Sequence, residues 1–175
     1  MFFLTFASEN ECEMIRNVTL RDAEAIAGLY NEFVLHSVVT FETEAVTAAQ
    51  MRERIAAIAA CYPYGVYEAG GQVAGYAYAH AWRERAAYAH TWETTVYVDP
   101  RFARQGIGYG LLSWLAGECR RRGCHALVAC ITGGNTASCA LHRKAGFRQV
   151  SRFEQVGLKF GRRLDVTDWE LLLEP

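Results

Sequence analysis

The sequence predicts an α/β (α+β) protein built on a mixed, largely antiparallel β-sheet flanked by helices on both faces. Three observations lead there. Apolar residues recur at helical spacing in two early segments, and β-rich runs bracket a double glycine after them. The second half then alternates helical and extended segments, the pattern of a sheet that needs cover on both sides. A chain of 175 residues fits one domain with a substantial core.

The elements follow in order. Thr19 and Asp22 have the form of a capping box, after which Ile26, Leu29, Tyr30, Phe33 and Val34 repeat as one helical face. Thr47 with Gln50 opens a second helix, with Met51, Ile55 and Ile58 as its buried stripe and Arg52, Glu53 and Arg54 on the solvated side. Residues 64–68 and 73–79 around Gly70-Gly71 read as a hairpin. The β-branched and aromatic run TWETTVYV reads as a central strand that ends at Asp99-Pro100. Gly106-Ile107-Gly108 enters a helix that buries Leu111, Leu112, Leu115 and Cys119, with Arg120, Arg121 and Arg122 in its last turn and Gly123 as its stop. Residues 126–131 form a buried strand, and Asn135 precedes a helix over 136–145 closed by Gly146. Two last strands are expected over 147–153 and 165–173, with VGLKFGRR as their connection.

Composition excludes several classes. With 51% hydrophobic residues, 21% charged residues and a net charge of -1, the chain has no basic excess for nucleic acid. The leading MFFLTF lacks a basic flank and is too short for a signal peptide or a membrane span. Residues 1–13 are therefore expected to be an N-terminal extension, with Met14 as an alternative initiator and 14–175 as the domain. The six cysteines form no CxxC pair and have no metal-ligand spacing with the five histidines, so free thiols in a cytoplasmic protein and no metal are expected. Cys130 and Cys139 are expected to pack in the core.

A glycine turn between a strand and a helix can aim backbone N–H groups at a phosphate. Taken alone GIGYG is equally a structural turn, and no βαβ unit with a following acidic residue supports a dinucleotide fold. Its neighbourhood says more: VYVDPRFARQGIGYGLL, followed by NTASCALHRKAGF, resembles the two coenzyme motifs of GNAT acetyltransferases. The resemblance implies the GNAT fold and acetyl-CoA as the acetyl-donor cosubstrate. It assigns the main chain of Val96, Tyr97 and Val98 to the pantetheine arm and acetyl carbonyl. The amides of Arg104, Gln105, Gly106, Ile107, Gly108 and Tyr109 are assigned to the pyrophosphate, and Asn135 to the pantetheine arm. Ala103 departs from the Gln or Arg usual at its position, and Arg104 stands where Gly is common.

Within that superfamily, SVVTFETE, AWRERAAYAHTWETTVYV, NTASCALHRKAGF and VGLKFGRRLDVTDWE are similar to segments of the phosphinothricin and methionine sulfoximine acetyltransferases, in the same order. This branch implies a small amino-acid-like acceptor, acetylated on its α-amino group, and a homodimer. Glu93 is implied as general base, since an α-amino group with a pKa of roughly 8 must lose a proton before it attacks. The other reading of Glu93 is a strand glutamate in a salt bridge. His142 is implied as donor to the leaving thiolate or as part of a proton relay, against a structural helical histidine. Arg83 or Arg85 is implied as the partner of the acceptor carboxylate, Phe41, Trp82 and Tyr88 as the pocket wall, and Lys159 and Phe160 as its closure. Arg suits that role because its planar fork matches a carboxylate. Two alternatives remain: transfer to another amine, such as a peptide N-terminus or polyamine, and a non-catalytic acyl-CoA sensor.

Overall fold

The structure, a computed structural model, describes residues 14–173; the expected extension over 1–13 lies outside the described residues. The helices begin where their caps allow. A 3-10 turn (Leu20–Asp22) leads into α1 (Ala23–His36), and the Asp22 carboxylate accepts the Thr19 N–H at 2.7 Å. At α2 (Ala48–Ala59) the capping box is reciprocal: Thr47 N–H donates to Gln50 Oε1 at 2.9 Å and Gln50 N–H to Thr47 Oγ1 at 3.2 Å. α3 (Ile107–Arg121) follows the glycine turn, and α4 (Thr136–Lys144) is capped by Asn135 Oδ1, which accepts the Ser138 N–H at 3.1 Å.

The strands are β1 (Met14–Asn17), β2 (Tyr64–Ala69), β3 (Gln72–Ala81), β4 (Thr91–Val98), β5 (Ala126–Thr132), β6 (Arg148–Gln149), β7 (Phe153–Lys159) and β8 (Arg162–Leu172). They form one sheet in the order β1-β2-β3-β4-β5-β8-β6, with β7 also paired to β8. Every pair is antiparallel except β4 with β5. Gly70 and Gly71 take φ of 57° and 71°, so both central residues of the β2–β3 turn are left-handed, as a tight hairpin requires.

Each face of the sheet has its own core. α3 lays Leu111, Leu112, Leu115 and Cys119 against Leu127, Ala129, Trp92 and Trp169. On the other face α1 and α2 bring Ile26, Val34, Met51 and Ile55 onto Val66, Tyr64 and Tyr76.

Three expectations need correction. The segment over 147–153 is no full strand: only Arg148 and Gln149 pair with β8. VGLKFGRR is not a loop, because its first half completes β7 and its second half begins β8. The joining residues Phe160 and Gly161, at φ of 50° and 71°, make the same left-handed turn as the glycine pair, with a phenylalanine where a small residue is usual. Cys130 is exposed rather than packed in the core, since it lies on the face of β5 opposite to Leu127, Ala129 and Ile131; Cys139 is half-buried.

Candidate active site

β4 carries the centre of the site, and its alternation divides the labour. Trp92, Val96 and Val98 point to the α3 core, whereas the ring of Tyr97 packs beside Tyr30 and Phe33 of α1. Glu93 shares the Tyr97 side. The β3–β4 ladder sets Tyr76 opposite Tyr97, Tyr78 opposite Thr95, and His80 opposite Glu93. The Glu93 side chain is 29% exposed, and its Oε1 lies 4.0 Å from His80 Nε2. Burial pushes the Glu93 carboxyl above the usual carboxylate range; His80 pulls it back and the charge of Asp168 pushes it further up.

Next to Glu93 the sheet opens. β4 and β5 pair only from Thr91 to Glu93, against Ala126, Leu127 and Val128. Thr94 Oγ1 still donates to Val128 O at 3.3 Å, and past that point β5 continues with β8 while β4 continues with β3. Main-chain groups over residues 95–98 that point away from β3 therefore face a gap with no strand partner. These residues are half-buried, so such groups can be satisfied by water or by a ligand.

The glycine turn lies at the far end of β4. Asp99 accepts from Arg101 N at 2.9 Å and from its guanidinium at 2.6 Å, which fixes the exit from the strand. Arg104 holds φ 63° and Gly106 φ 85°. The first N–H groups of α3, on Ile107, Gly108 and Tyr109, have no acceptor within the helix, and they stand at the positive end of its dipole. The Ile107 side chain is buried, so only its main chain can serve a ligand. A Cβ on Gly108 would come within 3.2 Å of Leu141 and 3.5 Å of Val98; this glycine lets α3 close on α4 and β4.

On α4, His142 is buried against the edge of Phe147, with Nδ1 2.9 Å from Ser138 O. A carbonyl oxygen only accepts, so Nδ1 carries the proton. Burial pushes the ring's pKa down and the Ser138 bond only partly opposes it. Burial thus favours the neutral form of the His142 ring.

The β3–β4 connection, residues 82–90, leaves the sheet within two positions of Glu93. Its Arg83 guanidinium stacks 4.2 Å above the Trp82 ring and 5.7 Å from that of Tyr88, and Arg83, Glu84, Arg85 and Tyr88 line a cavity of about 300 Å³. Phe41, Lys159 and Phe160 come together elsewhere. The Lys159 ammonium is buried and donates to Thr40 O at 2.8 Å, and the ring of Phe41 lies against Gly157. The Thr40 hydroxyl bonds Tyr30 OH at 2.8 Å. The Thr40-Phe41 segment thus ties α1 to β7. His80 and Asp168 are the site residues that sequence reasoning missed. Neither carries a local signal, since each depends on which strand lies opposite.

Among the described residues no group of three or more His, Cys, Asp or Glu side chains is arranged to hold a metal, and no helix is long and apolar enough to cross a membrane. A family model described as an acetyltransferase (GNAT) domain matches residues 15–167. The chain is 39% identical over 161 residues to the L-methionine sulfoximine/L-methionine sulfone acetyltransferase of Salmonella typhimurium, covering 91% of this chain and 94% of that protein. It is 39% identical over 153 residues to the phosphinothricin N-acetyltransferase of Alcaligenes faecalis, covering 86% of this chain and 78% of the other. Among solved structures, an acetyltransferase of Salmonella typhimurium determined with acetyl-CoA superposes with a TM-score of 0.91 at 38% identity, covering 94% and 95% of the two chains. A phosphinothricin acetyltransferase of Sinorhizobium meliloti in complex with acetyl-CoA gives 0.89 at 37%, covering 92% and 88%.

Proposed function

Because the chain belongs to the GNAT acetyltransferase family, we propose that it moves the acetyl group of acetyl-CoA to the α-amino group of a small amino acid of the methionine sulfoximine, methionine sulfone or phosphinothricin type. The observation that carries the reading is the parting of β4 from β5 immediately after Glu93. It leaves main-chain donors and acceptors of Val96, Tyr97 and Val98 for the pantetheine arm and the thioester carbonyl, beside a carboxylate for the amine. Residues 104–109 hold the pyrophosphate through their amides and the α3 N-terminus, and the Asn135 amide nitrogen, left over from capping, reaches the arm.

Glu93 acts as general base. Its raised pKa brings it nearer to the α-amino group's value of roughly 8, which lowers the uphill cost of the proton transfer. The nitrogen then attacks the thioester carbon, and the thiolate departs toward α4, where neutral His142 belongs to the proton network. Arg83 or Arg85 binds the acceptor carboxylate. Trp82 and Tyr88 form the wall beside these arginines, and the separate cluster of Phe41, Lys159 and Phe160 at the end of β7 serves as its closure. The protein is a cytoplasmic homodimer in this reading. The dimer's support is the exposed apolar surface at β7 and its turn, where Val156, Leu158 and Phe160 are each more than half exposed.

A thiol-release assay with a panel of free amino acids, their C-terminal amides, polyamines and short peptides tests the proposal. Turnover with the named sulfur and phosphorus amino acids and loss of it on amidation is the expected result. Preference for a polyamine or peptide would refute the acceptor, and acetyl-CoA binding without turnover on any amine would favour the sensor.

A further inference from the structure

A general base that keeps its proton works once; Glu93 needs a route by which the proton leaves. We propose that His80 is a positioning residue that takes from Glu93 the proton removed from the acceptor ammonium and hands it to water. The inference rests on the reading of Glu93 as base. In the β3–β4 ladder the two residues lie directly opposite, with Nε2 of His80 4.0 Å from Oε1 of Glu93. His80 Nδ1 is 3.0 Å from the carbonyl oxygen of Ala81. Since that oxygen can only accept, Nδ1 bears the hydrogen and Nε2 presents its lone pair toward Glu93. Two acceptors then face one another while the carboxylate is ionised, and they gain a hydrogen bond only when Glu93 has picked up a proton. One side-chain rotation or one bridging water closes the 4.0 Å.

The surroundings suit a relay. The His80 side chain is 36% exposed, so its proton has an exit, and its ring leans on that of Tyr78 at 5.9 Å, which limits its swing. The groups that act on Glu93 are His80 from β3 and Asp168 from β8, while the Glu93 charge in turn raises Tyr78 of β3 and Cys130 of β5. Of these only His80 favours the ionised carboxylate. The steps balance. The ammonium gives its proton to the Glu93 carboxylate, the neutral amine remains, the proton passes to Nε2 while Glu93 is ionised again, and the imidazolium releases it to water or buffer.

The test uses the whole enzyme with acetyl-CoA and its best amino-acid acceptor. In dilute buffer His80→Ala is expected to lower kcat about tenfold with both Michaelis constants unchanged, and added imidazole to restore it. The acid limb of kcat/KM should move to higher pH, because the charge interaction with His80 that lowers the Glu93 carboxyl is lost. His80→Gln, which keeps a polar side chain on the strand and takes up no proton, should reproduce both effects. In a Glu93→Gln background His80→Ala should add nothing and imidazole should rescue nothing. A His80 variant with normal kcat and an unmoved limb, beside a disabled Glu93→Gln, overturns the relay and leaves the base standing. So does a loss that imidazole fails to restore with the limb unmoved. Full activity of Glu93→Gln overturns the base itself.

Discussion

At Glu93 the chemistry depends on one ionisation, so its removal is the sharpest single change. Glu93→Gln keeps the side chain's size and should cut turnover by about 100-fold or more, the range of a lost general base, with acetyl-CoA affinity measured by calorimetry unchanged. Burial raises this carboxyl, so wild-type activity should fall with decreasing pH before the ordinary glutamate range near about 4.3 is reached. A profile flat down to that range would contradict the assignment. Arg83 and Arg85 can be separated in the same assay. Arg83 is already stacked on Trp82, which orients its fork, and a charged hydrogen bond contributes about 1.5 to 3 kcal/mol. Replacing the arginine that holds the carboxylate by Ala should raise the acceptor's Michaelis constant at least about tenfold and leave that of acetyl-CoA alone. If neither variant does so, the acceptor carboxylate is bound elsewhere.

Two contacts between distant elements hold the scaffold together. The first is the β1–α1 corner, where Arg16 reaches Asp22 through two nitrogens at 2.8 and 2.9 Å and Glu68 through a third at 2.8 Å. Burial raises the Asp22 carboxyl, but the bonds from Arg16 and Thr19 outweigh it and the net shift is downward. A depressed folded pKa means a contribution to stability that is complete above the unfolded value of about 3.9 and is lost as pH falls through the folded one. Asp22→Asn should therefore cost about 2 kcal/mol in urea unfolding at neutral pH, and the gap from wild type should shrink in strong acid. An unchanged gap would mean that the ion pair adds nothing. The second is the contact of β7 with the loop after α1. A methyl on Gly157 would overlap the ring of Phe41. Gly157→Ala should push that ring off the strand and raise the acceptor's Michaelis constant, with acetyl-CoA binding intact; equal effects on both substrates would show that β7 merely supports the fold.

For the whole molecule, β7 presents apolar surface at its outer side. Val156 and Leu158 are 60% and 59% exposed there and Phe160 is 58% exposed in the turn that follows, apolar surface that a second copy would bury. Analytical ultracentrifugation should find a dimer, and Leu158→Glu should give a folded monomer with a weaker acceptor site; a wild-type monomer would exclude the dimer. At this scale the sequence alone determined whatever depends on neighbours a few residues apart. Caps and periodicity announced α1 to α4, the double glycine announced the first hairpin, and the resemblance of VYVDPRFARQGIGYGLL and NTASCALHRKAGF to coenzyme motifs, rather than the glycine turn by itself, supplied the proposed acetyl-CoA site. Tertiary structure decided the rest. β7 escaped notice because its pattern is inverted: Gly157 and Lys159 are buried while Val156 and Leu158 face outward, and a phenylalanine occupies the left-handed turn. The Lys159 ammonium is buried because it reaches Thr40, 119 residues away. His80 faces Glu93, and β4 leaves β5 after Glu93, because of strand register, which no local pattern encodes: register is settled only when distant strands bury their apolar faces together.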